Sequence, residues 1–368
     1  MDTVLVTGAF GLVGSAVVRQ LAAEGRTVVA TDLDIPANRK AVAALPASVQ
    51  VRYADLTDPV AVNALVGAVR PAAIIHLAAV IPPFIYMRRD LARRVNVEAT
   101  GHLLAAAAAQ TEPRGSSGGS SIGSPPSSLA KPPRFVQASS IAVYGSRNPH
   151  TVSGVLTADT PTNPADVYGD HKLQAEQLVR ASPLDWVILR LGGVLTVDPG
   201  SYMKLDNLYF EQLLPTDGRL QTVDVRDVAS AFVAATTAPV IGEALLIAGD
   251  DSHRQAQGDV APAMAGAMGL VNGLPAGLPG NPDRDEDWFN TDWMDTSRAQ
   301  EALGFQHHSW PEMLAETAAQ AGAQRYLLRA VAPLARTILR TRSPYYRTGK
   351  RFADPWQAIA DKWSDPRP

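Results

Sequence analysis

The chain has 368 residues, 33 Lys and Arg against 36 Asp and Glu, a formal net charge of −3, and no cysteine. Without Cys there is no disulfide scaffold, thiolate zinc site, iron–sulfur cluster or cysteine nucleophile, and the near-neutral balance gives no ground for nucleic-acid binding. With 46% hydrophobic and 19% charged residues the chain reads as globular, as two domains or one large α/β unit with an appendage. No uninterrupted apolar run reaches the roughly 20 residues of a membrane span and no signal-type N-terminus is seen, so the expected location is the cytoplasm.

In chain order, Thr3 to Thr7 (TVLVT), Thr27 to Thr31, Val49 to Tyr53 and Ala72 to Leu77 are β-branched or apolar runs of strand length. Between and after them Gly11 to Ala23, Asn38 to Leu45, Pro59 to Val69 and Leu91 to Gln110 carry apolar residues at helical spacing. The alternation resumes with strand Arg134 to Ala138, helix Asp166 to Arg180 and strand Trp186 to Leu191. This predicts an α/β fold, a doubly wound parallel sheet with helices on both faces. The stretch from Thr111 to Arg134 is rich in Ser, Gly and Pro and reads as a flexible surface insertion, a tolerated one in preference to a regulatory segment. After about residue 195 the elements shorten, as in a smaller, mixed C-terminal part.

From Ala321 to Pro368 there are ten basic residues against three acidic, a balance of +7 that leaves −10 on the rest of the chain. Arg325, Arg329, Arg336 and Arg340 gather on one side of a helical wheel and Leu327, Val331, Leu334 and Ile338 on the other. Such a segment suits peripheral contact with an anionic membrane. The favoured reading is a terminal helix that packs its apolar side on the body, with Pro333 kinking or splitting it.

The first strand runs into Thr7-Gly8-Ala9-Phe10-Gly11-Leu12-Val13-Gly14. Glycines at this spacing permit a tight turn, close approach to a pyrophosphate and close helix–strand packing, while the helix N-terminus offers free N–H groups to phosphate. Asp32 stands eighteen residues after Gly14 at the end of the second strand, where a carboxylate binds ribose hydroxyls and repels a 2′-phosphate. NAD is therefore expected over NADP, although Arg26, Arg39 and Lys40 stand close enough in sequence to reshape that pocket.

With these residues the chain resembles the extended short-chain dehydrogenase/reductase family, including the NAD-dependent epimerases and dehydratases, whose glycine signature is TGxxGxxG. The resemblance assigns Gly8, Phe10, Gly11, Leu12, Gly14 and Asp32 to cofactor binding, Asp55-Leu56 to the adenine end, and Leu77-Ala78-Ala79 after His76 to the cofactor's lining. Asn96 matches a helix Asn that ties backbone together through a bound water. Ser139-Ser140-Ile141-Ala142-Val143-Tyr144-Gly145 and Tyr168-Gly169-Asp170-His171-Lys172 match its SSxxVYG and YxxxK stretches, and Asp224 to Ala229, Asp295 to Ala299 and Leu303 to Phe305 further landmarks. Together they cover residues 1–312. The implied organisation is an NAD-binding Rossmann-type domain at 1–195 with the insertion at 111–134, a substrate-binding part at 196–320 that partly returns to the first domain, and the basic extension at 321–368. The resemblance also implies a homodimer through the helices at Leu91 to Gln110 and Asp166 to Arg180.

Tyr168 and Lys172 are four residues apart and share a helix face. A phenol is a poor base at neutral pH unless a nearby ammonium and a cationic nicotinamide ring favour its phenolate. Tyr168 then moves a proton to or from a substrate oxygen as hydride moves at carbon, and Ser140 holds that oxygen. Ser139 is the rival for the serine role, and Lys172 also binds the nicotinamide ribose by resemblance. His76 reads as packed in the core, His171 as an exposed helix residue, and Asp224 and Asp227 as fixing a loop. His307 and His308 lack acidic neighbours at ligand spacing, so no metal is expected.

Gly193 stands where sugar-nucleotide epimerases of the family carry Asn, and Ile141-Ala142 stand where its dehydratases carry an acidic pair. The segment from Leu195 to Leu220 includes Tyr202, Met203, Leu205, Leu208, Tyr209, Phe210, Leu213 and Leu214, with Lys204 and Arg219 as its cations. The expected function is therefore an NAD-dependent oxidoreductase that interconverts a secondary alcohol and a ketone on an apolar or mixed small molecule. The alternatives are a nucleotide-sugar epimerase and a non-catalytic dinucleotide-sensing regulator.

Overall fold

The computed structural model describes residues 2–111, 132–198 and 205–368. Most of the Ser/Gly/Pro insertion, and Tyr202, Met203 and Lys204, lie outside the described residues. Seven strands, β1 (Thr3–Thr7), β2 (Thr27–Asp32), β3 (Gln50–Tyr53), β4 (Ala73–His76), β5 (Arg134–Ser140), β6 (Trp186–Leu191) and, after two strands of a second sheet, β9 (Glu243–Ile247), form one sheet. Its order is β3-β2-β1-β4-β5-β6-β9, with every pair parallel. The smaller sheet joins β7 (Gly193–Leu195), β8 (Arg219–Asp224) and β10 (Arg254–Ala256). The expected doubly wound sheet with a mixed C-terminal part is thus the observed fold.

Period-two alternation explains why the central strands are apolar throughout: Val4 and Val6 face one core, Leu5 the other. On the first face α1 (Leu12–Ala23) packs, supported by α9 (Val225–Ala235). On the second face lie α3 (Pro59–Val69) and α6 (Ala99–Ala108). The remaining helices are α2 (Pro36–Val42), α4 (Phe84–Met87), α5 (Arg89–Arg93), α7 (Val167–Ala181), α8 (Leu205–Leu213), α10 (Gln257–Ala267), α11 (Ser297–Leu303), α12 (Trp310–Ala321), α13 (Gln324–Thr341) and α14 (Pro355–Lys362).

The helix expected over Leu91 to Gln110 is observed, with a π-helical turn at Arg94–Glu98, which carries Asn96, set inside it. Two expectations are corrected. The terminal helix neither kinks apart nor packs as expected: α13 runs through Pro333 and is anchored by Leu328, Ala332 and Ala335 on Ala265 and Leu270. Leu327 and Leu334, on the adjacent seam, stay 72% and 62% exposed. The last residues are not an appendage. Trp363 packs with Tyr86, Tyr209 and Phe210 at centroid distances of 6.5, 5.7 and 6.0 Å, and Pro366 C=O accepts from Val167 N–H at 2.8 Å. The C-terminus therefore closes over the start of α7. Among the described residues no helix is long and apolar enough to cross a membrane.

Candidate active site

The parallel register brings the sequence candidates to one edge. Thr7 pairs with Thr31 and with His76, Asp32 with Tyr53, and His76 with Gln137, so the loops after β1 to β5 emerge together at the strands' C-terminal ends. Gly8 has φ +64°, and a Cβ there would lie 2.6 Å from Ala78 N; one on Gly14 would lie 2.1 Å from Gly8 O. These two positions admit only glycine. Gly11 caps α1 without a side-chain hydrogen bond, leaving the first helical N–H groups for an anion. Asp32 Oδ1 accepts from Leu33 N at 2.8 Å and Oδ2 faces Phe10 N at 3.4 Å, which sets the carboxylate beside the glycine loop. Arg39 is paired with Asp34 on the surface, its Nη2 donating at 2.8 Å. Leu77, Ala78 and Ala79 are half-buried at the opposite wall. Asp55, exposed at the end of β3, accepts from Thr57 N and Oγ1, and Leu56 is buried behind it. Tight turn, uncapped helix and terminal carboxylate together fit a dinucleotide.

Asn96 is buried and holds both polar groups of Val80 directly: Val80 N donates to Oδ1 at 2.7 Å and Nδ2 donates to Val80 O at 2.9 Å. It fixes the chain just after Ala79. His76 is fully enclosed between Thr7 Oγ1 at 2.7 Å and Thr100 Oγ1 at 3.1 Å. Thr100 donates its own proton to Asn96 O, so His76 Nε2 carries the hydrogen and Nδ1 accepts from Thr7. Burial, assisted by the Lys172 charge, lowers its pKa to about 3. His76 is a neutral spacer.

Asp166 starts α7 by accepting from Gly169 N at 2.9 Å, and Tyr86 Oη donates to it at 2.7 Å. Its burial raises the carboxyl to about 6 against those hydrogen bonds. Tyr168 and Lys172 then lie one turn apart, with Nζ 5.8 Å from the ring centroid and donating to Ala138 O at 2.9 Å. Burial lowers Lys172 to about 8, partly offset by Glu176. The neighbouring Ser140 hydroxyl favours the ionised phenol, yet burial outweighs it and pushes Tyr168 above its ordinary value. The proton stays on Tyr168 until a further positive charge arrives.

The two serines separate cleanly. Ser139 Oγ donates to buried Glu176 at 2.6 Å, while Ser140, half-buried at the strand end, meets Tyr168. Glu176 also takes Arg190 Nε at 2.9 Å and Nη2 at 2.6 Å, and Arg190 Nη1 donates to Tyr144 Oη at 2.6 Å. This buried network clamps α7 against β5 and β6. Sequence reading missed it, although Glu176 repeats the four-residue spacing of Tyr168 and Lys172. His171 is buried, not exposed, and its Nδ1 has no partner. Asp227 Oδ2 accepts from the N–H groups of His307 and His308, and Oδ1 meets His308 Nδ1 at 2.6 Å. These histidines thus do have an acidic neighbour, absent from their sequence surroundings; among the described residues no three candidate ligands gather as a metal site. Asp224 caps α9 and pairs with Arg226 at 2.7 Å.

Residues 4–248 match the model of the NAD dependent epimerase/dehydratase family, two thirds of the chain. The chain belongs to that family. Among curated proteins, a UDP-glucose 4-epimerase of Azospirillum brasilense is 30% identical over 207 residues, 53% of this chain and 50% of the relative. The chain thus spans about half the length of that relative. MoeE5, solved with UDP-glucuronic acid and NAD, superposes with TM-score 0.64 at 26% identity, covering 88% of this chain and 99% of that one. WbmH of Bordetella bronchiseptica, solved with NAD+, gives 0.64 at 23% identity over 89% of this chain and 99% of its own. The UDP-glucose 4-epimerase of Thermotoga maritima, solved with UDP-glucose, gives 0.65 at 18% over 89% and 99%. The last two carry the fold alone.

Proposed function

We propose that the protein binds NAD and works at the carbinol carbon of a secondary alcohol as an epimerase on a nucleotide-linked sugar. The observation that carries the chemistry is Tyr168 standing near Ser140, with Lys172 Nζ 5.8 Å from its ring centroid. Ser140 and Tyr168 bind the substrate oxygen. Tyr168 takes its proton as the C–H bond breaks and returns it when the C–H bond re-forms on the other face. Lys172 supplies the nearby ammonium that makes the phenolate accessible and reaches the nicotinamide ribose. NAD, when bound across Gly8 to Gly14 and Asp32, supplies the hydride acceptor and gives the hydride back. Asp55, Leu56, Leu77, Ala78 and Ala79 would line it, while Asn96 acts through Val80.

Supporting epimerisation over the net alcohol–ketone conversion expected from the sequence are the family match, the curated relative and the UDP-sugar bound to MoeE5. One observation favours net conversion as a second reading: Arg219 donates to Gly154 O at 2.8 Å and stacks on Trp293 at 4.9 Å, so it is committed away from a diphosphate. The test is incubation of purified protein with UDP-glucose, with separation of epimers and absorbance at the reduced-nicotinamide band. Epimer formation without free NADH, lost about 100-fold or more in Tyr168→Phe, is the expected result. Net NADH release with a secondary alcohol and no epimer would replace the first reading by the second. NAD binding with no turnover in either form would leave the dinucleotide-sensing regulator.

A further inference from the structure

Beside the glycine loop lies a cavity of about 640 Å³, within the roughly 300–1,000 Å³ of small-molecule sites. Its floor is buried Val260, Met264 and Met268 of α10 and the loop after it, one wall is Val194, Leu195 and Phe210, and its outer wall is Leu328, Val331 and Ile338 of α13. Among its described lining residues only Thr196 and Glu211 have polar side chains, and Glu211 is held by Gln257 Nε2 at 2.8 Å. No cation lines it. Leu12, the first residue of α1, and Ile81 to Pro83, just beyond Ala79, also line it, so the space adjoins the glycine loop and the segment that follows Ala79.

We propose that this cavity binds a hydrocarbon group, the alkyl part of an amphiphilic ligand. A diphosphate would meet no cation among the described lining residues and a sugar only Thr196 and the Gln257-bound Glu211, whereas an alkyl chain loses only water contact. A packing fault of this size would be costly in a core, and polar space would fill with water. The cavity is neither, being mostly apolar and adjoining the glycine loop. The proposal rests on the second functional reading in one respect: the hydroxyl of the same molecule would reach Tyr168. Binding itself does not depend on turnover.

The experiment is displacement of Nile red from the full chain by octan-2-ol, decan-2-ol and dodecan-2-ol, with NADH formation followed separately. Binding should tighten about fourfold for each methylene until the cavity is filled. Ile338→Glu, at a rim position 46% exposed, should fold normally and weaken dodecanol binding about tenfold or more. Ala261→Trp, which fills the space, should do the same. Affinity independent of chain length, or unchanged in both variants at native circular dichroism and NAD affinity, overturns the proposal. Chain-length-dependent binding without NADH formation upholds the site and removes the second reading instead.

Discussion

His76 offers a stability prediction whose size follows from its surroundings. It is 1% exposed, its two nitrogens are occupied by Thr7 and Thr100, and its pKa falls from an ordinary 6.5 to about 3. A depressed folded-state pKa means that the unfolded chain binds the proton first, so the neutral imidazole's contribution is complete above 6.5 and is lost as pH falls from 6.5 toward 3. Each pH unit inside that window costs about 1.4 kcal/mol, so that going from about pH 7 to about pH 5 removes about 2 kcal/mol. His76→Gln keeps a donor and an acceptor but does not titrate. Guanidinium unfolding of both proteins at the two pH values should show the wild type's advantage over the variant shrinking by about 2 kcal/mol. A constant gap would refute the reasoning, because it would mean that His76 is charged or hydrated in the native state. Asp166 opposes this trend. Its raised carboxyl, at about 6, takes up a proton on the folded side as pH falls, so Asp166→Asn should steepen the acid loss.

Glycine substitution separates folding from binding: Gly14→Ala places a carbon 2.1 Å from Gly8 O and should cost about 1–3 kcal/mol, whereas Gly11→Ala meets nothing closer than 3.4 Å and should fold normally while weakening NAD binding. Calorimetric unfolding and NAD titration of the two check this, and equal stabilities would count against the cradle geometry. Glu176→Gln leaves Arg190 buried with a neutral partner and should destabilise by about 3–5 kcal/mol, measured by denaturant midpoint. The exposed apolar seam of α13 should sediment the protein with anionic vesicles at low salt, and Leu334→Asp should release it; equal recovery in the supernatant would sink the membrane contact. A homodimer through α6 and α7 should become monomeric in light scattering on Ala105→Arg, since Ala105 is exposed on α6; a wild-type monomer would end that expectation.

Sequence alone determined the strand–helix alternation, the glycine loop and the Tyr168–Lys172 pair, because each is written in local periodicity or in a spacing shorter than one element. Asp32 was legible for the same reason, lying one strand and one helix beyond Gly14. Counting back from Tyr144 favoured Ser140 over Ser139 for the catalytic role, whereas the Glu176–Arg190 pair that claims Ser139 was not legible, because it joins two elements. The π-turn at Arg94–Glu98 was not legible, because apolar spacing marks a helix without revealing which carbonyl each N–H reaches. The histidines after Phe305 gained their carboxylate from Asp227, some eighty residues earlier. Tertiary structure also decided the fate of the C-terminus: composition marked it as a basic extension, but only packing could reveal that Trp363 and Pro366 close over α7 while α13 turns Leu327 and Leu334 outward and Leu328 inward. Burial is a property of pairs of surfaces, and a sequence states only one surface at a time.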